Sequence, residues 1–203
     1  MTFLFDIGRV LLDFDFETSL ARLLPPGLTD PRQRFVRLLD KRDEFESGAI
    51  APDDYITWAL RELESSATPA EFRQAWQGIF TPIEPMWETV SQLAAAGHRL
   101  ILFSNTNAIH CPWIFDEYPV FAHFPEAVLS FEAGAVKPHP PIYQRAIDVH
   151  QLDPAATLYI DDLPANIATG RVFGFRSFQY DLHDHPAFEC WLAEQLPAAG
   201  PAR

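Results

Sequence analysis

Asp6 is the first residue in the sequence whose position suggests chemistry. It stands directly after the apolar run Phe3-Leu4-Phe5 and is followed by Ile7-Gly8-Arg9-Val10. A carboxylate at the end of a buried strand can attack phosphorus and form an aspartyl-phosphate. It can also donate an oxygen to Mg²⁺, which prefers carboxylate and phosphate oxygens. An aspartate that only caps a turn would have the same local sequence, so Asp6 by itself leaves both interpretations open.

Two further polar segments could hold a phosphoryl group. Ser104 and Asn105 follow the apolar run Leu100 to Phe103, and a hydroxyl with backbone amides can bind phosphoryl oxygens as their charge changes in the transition state. Lys137 lies in the segment Gly134 to Pro138 and is one of only two lysines in the chain. Its compact ammonium could hold a phosphate and the attacking carboxylate together. An ordinary strand-to-helix loop and a solvated lysine are the alternatives.

Asp161 and Asp162 are adjacent carboxylates that follow the apolar run Thr157 to Ile160. Two such groups at a buried strand end repel each other and lose hydration. A divalent cation would offset both costs, so the pair indicates a metal site. The alternative is an acidic first turn of the helix that begins near Pro164, where negative charge is also favourable.

The elements that position these residues are short strands alternating with helices. The predicted strands are Phe3 to Phe5, Leu100 to Phe103, Ala127 to Leu129, Thr157 to Ile160 and, more weakly, Arg176 to Tyr180. Helical spacing of apolar residues extends over Met86 to Ala96 and over Pro141 to Val149. This alternation predicts an α/β fold with a doubly wound parallel sheet covered on both faces. Ligands bind at the carboxyl ends of such strands, so the polar residues that follow them are predicted to meet in one site.

Residues 16–85 differ from the rest, because they show helical patterns and no convincing strand. One helix is expected from Phe35 to Phe45, and another after a cap at Asp53 or Asp54. The third contains Phe72 and Trp76. We therefore predict an α/β core of residues 1–15 and 86–203 with a helical cap of residues 16–85. A peripheral bundle that only adds to the core is the alternative.

Bulk properties narrow the classes of partner and location. The formal net charge of the 203 residues is −13, which disfavours nucleic acid and anionic membranes as partners. Cys111 and Cys190 have no metal-ligand spacing, so a reducing cytoplasm is expected. The first residues resemble neither a signal peptide nor a membrane span. The partner we expect is a small phosphorylated molecule, and the chain is expected to be a monomer or homodimer.

Together these segments resemble the four motifs of the haloacid dehalogenase (HAD) superfamily in order and context. The corresponding segments are Phe3 to Val10, Leu100 to Asn107, Gly134 to Pro138 and Tyr159 to Asn166. The helical insert has the position of the superfamily's type 1 cap, and Phe45-Glu46-Ser47-Gly48 resembles a common cap sequence. The resemblance covers nearly the whole chain and implies a Rossmann-like core and a Mg²⁺-dependent phosphatase.

Within subfamily IA, the segments Phe5 to Val10 and Phe103 to Asn107 are similar to bacterial α-D-glucose-1-phosphate phosphatases of the YihX type. This likeness implies that Asp6 is the nucleophile and that a sugar phosphate such as a hexose 1-phosphate is the substrate. The implied roles of the remaining residues are Mg²⁺ ligation by Asp6, the Gly8 carbonyl and Asp162, assistance to the metal by Asp161, phosphate binding by Ser104 and Asn105, and neutralisation of the phosphate by Lys137. Arg9, next to the nucleophile, is a further candidate for a contact with the substrate.

Gly8 departs from the family pattern, because most HAD phosphatases have a second aspartate at this position. That aspartate protonates the leaving group and later activates water, which is commonly worth ~10²–10⁴-fold in rate. A substrate with a good leaving group, such as a sugar 1-phosphate, would need it less. A replacement acid is the second interpretation, and the candidates are Asp13, Asp15, Glu46 and His110.

A different reaction is the third interpretation of Gly8. Haloacid dehalogenases also lack the second aspartate, but they need no metal and usually lack the acidic pair represented here by Asp161 and Asp162. A catalytically silent protein that binds a phosphorylated ligand is the non-enzyme alternative.

Overall fold

Five parallel strands form the central sheet of the structure, a computed structural model that describes residues 1–27 and 30–196. Their order is β5-β4-β1-β6-β7. The strands are β1 (Thr2–Phe5), β4 (Arg99–Ser104), β5 (Glu126–Leu129), β6 (Thr157–Asp161) and β7 (Arg176–Gln179). All five correspond to predicted strands, so the α/β class and the parallel sheet are confirmed.

Eleven α-helices surround the sheet or form a separate unit in the described part of the chain. They are α1 (Phe16–Ala21), α2 (Pro31–Leu38), α3 (Arg42–Glu46), α4 (Pro52–Glu62), α5 (Pro69–Gln77), α6 (Glu84–Ala95), α7 (His110–Glu117), α8 (Ser130–Ala133), α9 (Pro140–His150), α10 (Pro164–Val172) and α11 (His185–Gln195). Within residues 1–27 and 30–196, no helix is both long and apolar enough to span a membrane.

The sheet is covered on both faces because its central strands alternate apolar side chains between two cores. Phe3 and Phe5 of β1 are buried in one core with residues of α6 and α11. Leu4, between them, is buried in the other core with residues of α9 and α10. Neither face of β1 reaches water, which explains why its sequence is a continuous apolar run.

Helices α1 to α5 form a unit with an apolar cluster of their own. Phe45 and Tyr55 stack in it with ring centroids 4.0 Å apart, and Leu20, Ile56 and Phe72 are fully buried. The predicted helix from Phe35 to Phe45 is interrupted, because the 3₁₀ turn Leu39–Lys41 separates α2 from α3. The expected aspartate cap of α4 is also wrong: Ala51 is the N-cap residue, and Asp53 and Asp54 lie in the first turn.

A two-stranded antiparallel ribbon at the base of this unit was not predicted. It pairs β2 (Leu12–Phe14) with β3 (Phe80–Pro82), so the expectation of no strand in residues 16–85 is wrong. Both strands are three residues long and β3 ends in a proline, which leaves too little alternation for a pattern to detect. Residues 197–203, the end of the predicted core unit, lie outside the described residues.

Candidate active site

The register of the central strands places Asp6 between the ends of two neighbours. Phe5 is paired with Leu102 of β4 on one side and with Ile160 of β6 on the other. The Asp6 backbone N–H then donates to the Ile160 carbonyl at 3.0 Å. The chain therefore brings Asp6 into the same site as the residues that end β4 and β6, as the strand-end argument predicted.

Lys137 lies at the centre of this site, and its side chain is fully buried. The Nζ atom donates to Asp161 Oδ2 at 2.6 Å and to the Phe103 carbonyl at 2.7 Å, and it lies 3.1 Å from Asp6 Oδ1. Burial disfavours the ammonium, but the carboxylates of Asp161 and Asp6 more than offset this and raise the pKa of Lys137 above its usual value. Lys137 is therefore a permanent cation beside the nucleophile candidate.

Asp161 is fully engaged by hydrogen bonds within the protein. Oδ2 accepts from Lys137 Nζ and from the Tyr159 hydroxyl, each at 2.6 Å. Oδ1 accepts from the Leu163 backbone N–H and from Asn166 Nδ2, each at 2.9 Å. A carboxylate offers about four lone-pair sites, so little capacity is left for a metal. These contacts therefore indicate that Asp161 positions the Lys137 ammonium.

The acidic residues of the site fit a divalent cation. One oxygen from each of Asp6, Asp161 and Asp162 lies within 4.8 Å of the others. Asp6 Oδ1 is buried and, apart from the ion pair with Lys137 Nζ at 3.1 Å, has no hydrogen-bond partner among the described residues. The Gly8 carbonyl likewise accepts no hydrogen bond from a residue that the structure describes. Since Asp161 is engaged, Asp6, Asp162 and the Gly8 carbonyl are the groups best able to ligate Mg²⁺ directly, a hard cation that takes oxygen ligands.

The pKa values of two carboxyls in this site are raised. Burial raises the pKa of Asp6 to about 6, against the opposing effects of Lys137 and the Ser104 hydroxyl. Burial, followed by the charges of Asp6 and Asp161, raises the pKa of Asp162 to about 7. A divalent cation would reverse both shifts, because it favours the ionised carboxylates.

Ser104 and Asn105, the predicted phosphate-binding residues, differ in how free their side chains are. The Ser104 hydroxyl is buried beside Asp6 and makes only a long hydrogen bond of 3.3 Å to the Asn105 carbonyl. The Asn105 amide instead binds the backbone of Lys137: Nδ2 donates to its carbonyl at 2.8 Å, and Oδ1 accepts from its N–H at 2.7 Å. Asn105 is therefore a clamp on the lysine segment, and its backbone N–H is the group left for a ligand.

Arg9, the predicted substrate contact, is paired within the protein. It has a positive φ of 58°, and its Nη1 atom lies 2.5 Å from Asp13 Oδ1. The guanidinium also lies over the Phe14 ring, 4.7 Å from its centroid. The same ring packs against Gly8, where a Cβ atom would lie 3.2 Å from Phe14 Cε1. Phe14 thus closely approaches the place from which a side chain at position 8 would start.

His110 was a candidate replacement acid, and the structure fixes it as a neutral structural residue. Asn107 Oδ1 accepts from two backbone N–H groups, so Asn107 Nδ2 donates to His110 Nδ1 at 3.1 Å. His110 Nε2 therefore carries the proton and donates to the Trp76 carbonyl at 3.0 Å. Burial lowers the pKa of His110 to about 3. This neutral histidine connects α7 to α5, and its one ring proton is committed to the Trp76 carbonyl.

The other three candidates have different surroundings. Asp15 accepts from the Thr18 N–H as the N-cap of α1 and is exposed, and Asp13 is paired with Arg9. Glu46, at the end of α3, has a side chain that is only 20% exposed.

Tyr159 is a residue of the site that the sequence argument missed. Its hydroxyl donates to Asp161 Oδ2, and its ring lies 5.7 Å from Lys137 Nζ. The period of two in a strand places Tyr159 and Asp161 on the same face of β6, so a hydroxyl two residues before the acidic pair was an available signal.

Comparisons with known proteins agree with this fold. The family model of haloacid dehalogenase-like hydrolases matches residues 1–174. D-ribitol-5-phosphate phosphatase from Bacteroides thetaiotaomicron is 27% identical over an alignment of 187 residues, and the match covers 86% of this chain and 89% of that protein. The HAD family enzyme BT-2542 from the same organism superposes with a TM-score of 0.79 at 22% identity, covering 92% of this chain and 97% of that one.

Two further structures are similar. Wild-type BT-2542 in complex with magnesium and inorganic phosphate superposes with a TM-score of 0.76 at 22% identity, covering 89% of this chain and 94% of that one. A HAD-like family hydrolase from Porphyromonas gingivalis superposes with a TM-score of 0.72 at 25% identity, covering 94% and 97%.

Proposed function

The chain belongs to the haloacid dehalogenase-like hydrolase family, and we propose that it is a Mg²⁺-dependent phosphoric monoester hydrolase that uses Asp6 as its nucleophile. The observation that carries the proposal is the position of the buried Lys137 ammonium, 3.1 Å from Asp6 Oδ1, in a site where an oxygen of Asp162 lies within 4.8 Å of one of Asp6. A phosphate dianion needs neutralisation before a carboxylate can approach its phosphorus, and this site combines a fixed cation with a set of oxygens suited to Mg²⁺.

Each residue of the site has its own role in phosphoryl transfer. Asp6 attacks phosphorus and becomes an aspartyl-phosphate, and Lys137 neutralises the phosphoryl oxygens and orients the carboxylate. Asp6, Asp162 and the Gly8 carbonyl would hold Mg²⁺, which supplies charge neutralisation at the phosphoryl group. Ser104 and the Asn105 backbone N–H bind the phosphoryl oxygens, and Arg9 remains the proposed contact to the rest of the substrate. Asp161 assists by holding Lys137.

We assign residues 16–85 the role of a cap over the core formed by residues 1–15 and 86–203. The helices of this segment have their own apolar cluster. They contact the core through the β2–β3 ribbon, through the bonds of His110 to the Trp76 carbonyl and of Gln77 to the Ile109 carbonyl, and where Gly48 lies against Phe131. A unit with its own apolar cluster can present side chains to a substrate at the carboxyl ends of the strands.

The substrate class that we propose is a sugar phosphate. The similarity to D-ribitol-5-phosphate phosphatase supports a phosphorylated polyol or sugar, and the motif likeness to α-D-glucose-1-phosphate phosphatases supports a hexose 1-phosphate. Gly8 favours the second, because an anomeric oxygen is more acidic than an ordinary alcohol oxygen and leaves with less protonation.

The experiment is a turnover assay with p-nitrophenyl phosphate, hexose 1-phosphates and polyol phosphates in the presence of Mg²⁺. We expect activity that EDTA abolishes and Mg²⁺ restores, and that Asp6→Asn removes while Asp116→Asn, a change of an exposed aspartate on α7, retains it. EDTA-resistant release of halide from 2-haloacids would instead identify a dehalogenase. Binding of phosphate without turnover of any ester would identify a silent binding protein.

A further inference from the structure

Hydrolysis through Asp6 requires a general acid and base, and the side chains nearest Asp6 already have other roles. The leaving oxygen must gain a proton, and the water that attacks the aspartyl-phosphate must lose one. Gly8 has no side chain, and Lys137 stays protonated between two carboxylates. Asp161 accepts four hydrogen bonds, and Asp162 belongs to the proposed metal site.

Glu46 is placed over the same sheet edge by a close contact between two backbones. Gly48, two residues later, has a positive φ of 75°, and a Cβ atom there would lie 2.4 Å from the Phe131 carbonyl oxygen. Phe131 lies in α8, directly after the carboxyl end of β5. The turn that follows α3 is therefore seated against the edge at which the site is formed, and Glu46 ends the helix that leads into it.

The Glu46 carboxyl is largely buried and only weakly paired. Among the described residues its one ion-pair partner is Arg42, with Nε 4.0 Å from Glu46 Oε2, and it takes part in no side-chain hydrogen bond. Fully buried glutamates are almost always paired, and Glu46, at 20% side-chain exposure, has only this one weak partner. A group in this state is available for a partner that arrives with the substrate.

We propose that Glu46 is the general acid and base of the reaction, supplied from the cap in place of a side chain at position 8. This inference rests on the proposed phosphatase function. In the first step Asp6 forms a bond to phosphorus, the bond from phosphorus to the leaving oxygen breaks, and protonated Glu46 gives its proton to that oxygen. In the second step Glu46 takes a proton from water as the water oxygen attacks phosphorus. The bond from phosphorus to Asp6 then breaks, inorganic phosphate leaves, and both side chains return to their starting states.

The electrostatic surroundings of Glu46 are compatible with both roles. Burial raises the pKa of Glu46 to about 7; Arg42 and Lys137 oppose the shift, and Asp43 and Asp6 add to it. Tyr55, which packs beside α3, stays protonated because burial and then the charge of Glu46 raise its pKa. An acid–base group works best with a pKa near the operating pH.

The experiment compares Glu46→Gln with Glu44→Gln, a change of an exposed glutamate on the same helix, in the Mg²⁺-loaded enzyme. With an alkyl phosphate, Glu46→Gln should lower kcat/KM by ~10²–10⁴-fold, because an alkoxide leaves poorly without a proton. With p-nitrophenyl phosphate, kcat/KM should fall much less, because p-nitrophenolate needs no proton. The second step should then limit turnover, so a burst of about one p-nitrophenolate per enzyme should precede a slow steady state.

The pH dependence gives a readout that a purely structural role would not change. Wild-type kcat/KM for the alkyl ester should fall at alkaline pH as Glu46 loses its proton, and Glu46→Gln should lack this fall. Unchanged alkyl-to-aryl selectivity with no burst in a folded, active Glu46→Gln enzyme would overturn the role of Glu46 alone. A wild-type enzyme that hydrolyses no phosphate ester with Mg²⁺ would overturn the proposed function and this role with it.

Discussion

Asn105 and Lys137 exchange two hydrogen bonds although they are 32 residues apart in the chain. The amide of Asn105 donates to the Lys137 carbonyl and accepts from its N–H, as a neighbouring strand would. The backbone of Lys137 is thereby fixed to the end of β4, while its side chain reaches Asp6 and Asp161. The position of the ammonium thus depends on a residue that is predicted from sequence to bind phosphate directly.

Asn105→Ala should therefore reduce both stability and activity. Loss of the amide leaves the N–H and carbonyl of Lys137 without partners, which costs about 1–3 kcal/mol. For a chain of this size each kcal/mol lowers the melting temperature by about 2–4 °C. A displaced ammonium should also lower kcat by about 10–100-fold. Thermal melts and steady-state kinetics check both effects.

The matched control for this prediction is Gln144→Ala. Gln144 also donates from a side-chain amide, to Asp148 on the exposed face of α9, and its loss should change neither property appreciably. Equal melting temperatures and rates for Asn105→Ala and wild type would show that the clamp does not position Lys137.

Asp161→Asn and Asp162→Asn form a matched pair that separates holding Lys137 from holding Mg²⁺. Asp162→Asn should weaken Mg²⁺ binding by at least about tenfold, because it removes a charged ligand. Asp161→Asn should alter Mg²⁺ affinity much less, because its oxygens are occupied by Lys137, Tyr159, Leu163 and Asn166, but it should lower kcat at saturating Mg²⁺. Calorimetric Mg²⁺ titration alongside kinetics distinguishes the two. A larger loss of Mg²⁺ affinity in Asp161→Asn would make Asp161 the principal ligand.

Much of the core and the identity of the strand-end residues could be predicted from the sequence, because both depend on local patterns. The run Phe3 to Phe5 is apolar since both faces of β1 are buried, and a parallel sheet then brings Asp6 and Asp161 to one edge. The hydrogen bonds of Asn105 and Tyr159 were not predictable in this way. They depend on how loops that are far apart in the sequence are placed against each other. The pattern within one segment holds no information about that placement.

The position of Glu46 shows the same limit. The sequence left four candidates for a replacement acid without ranking them. His110 is excluded as the acid because its Nε2 proton is donated to a backbone carbonyl of the helical unit. The position of Glu46 depends on the contact between Gly48 and Phe131. Both contacts join segments that are distant in the chain, so neither could be read from spacing.

Glu126 should make the folded state sensitive to acid. It pairs with Arg99 through both oxygens and accepts from His150 Nδ1 at 2.8 Å, and these contacts lower its pKa to about 2. A depressed folded-state pKa adds stability that is present above the unfolded value of about 4.5 and is lost as pH falls toward 2. Glu126→Gln should therefore be less stable than wild type by about 1–2 kcal/mol at neutral pH.

Melting temperatures of wild type and Glu126→Gln over a range of pH check this prediction. The gap between the two proteins should narrow as pH falls from about 4.5 toward 2, because the wild-type carboxylate becomes protonated. Glu194→Gln, which alters an exposed glutamate on α11, serves as the control and should show no such gap. A gap that stays constant down to pH 2 would mean that the ionised carboxylate adds nothing to stability.

Gly8→Asp should shift the preference of the enzyme toward esters of ordinary alcohols. A carboxyl at position 8 would lie beside the leaving oxygen, where it helps an alkoxide more than an anomeric oxygen that already leaves well. The Phe14 ring limits the gain, because the new Cβ atom would lie 3.2 Å from Phe14 Cε1 and the ring must move. We therefore expect a rise of about tenfold in the ratio of kcat/KM for an alkyl phosphate to that for a hexose 1-phosphate, and a larger rise in Gly8→Asp/Phe14→Ala.

Phe14→Ala alone is the control, and equal gains on both substrate classes would contradict the leaving-group argument. The same substitution in a Glu46→Gln background should restore more alkyl phosphatase activity than it adds to wild type, since it would then supply the only proton donor at the leaving oxygen.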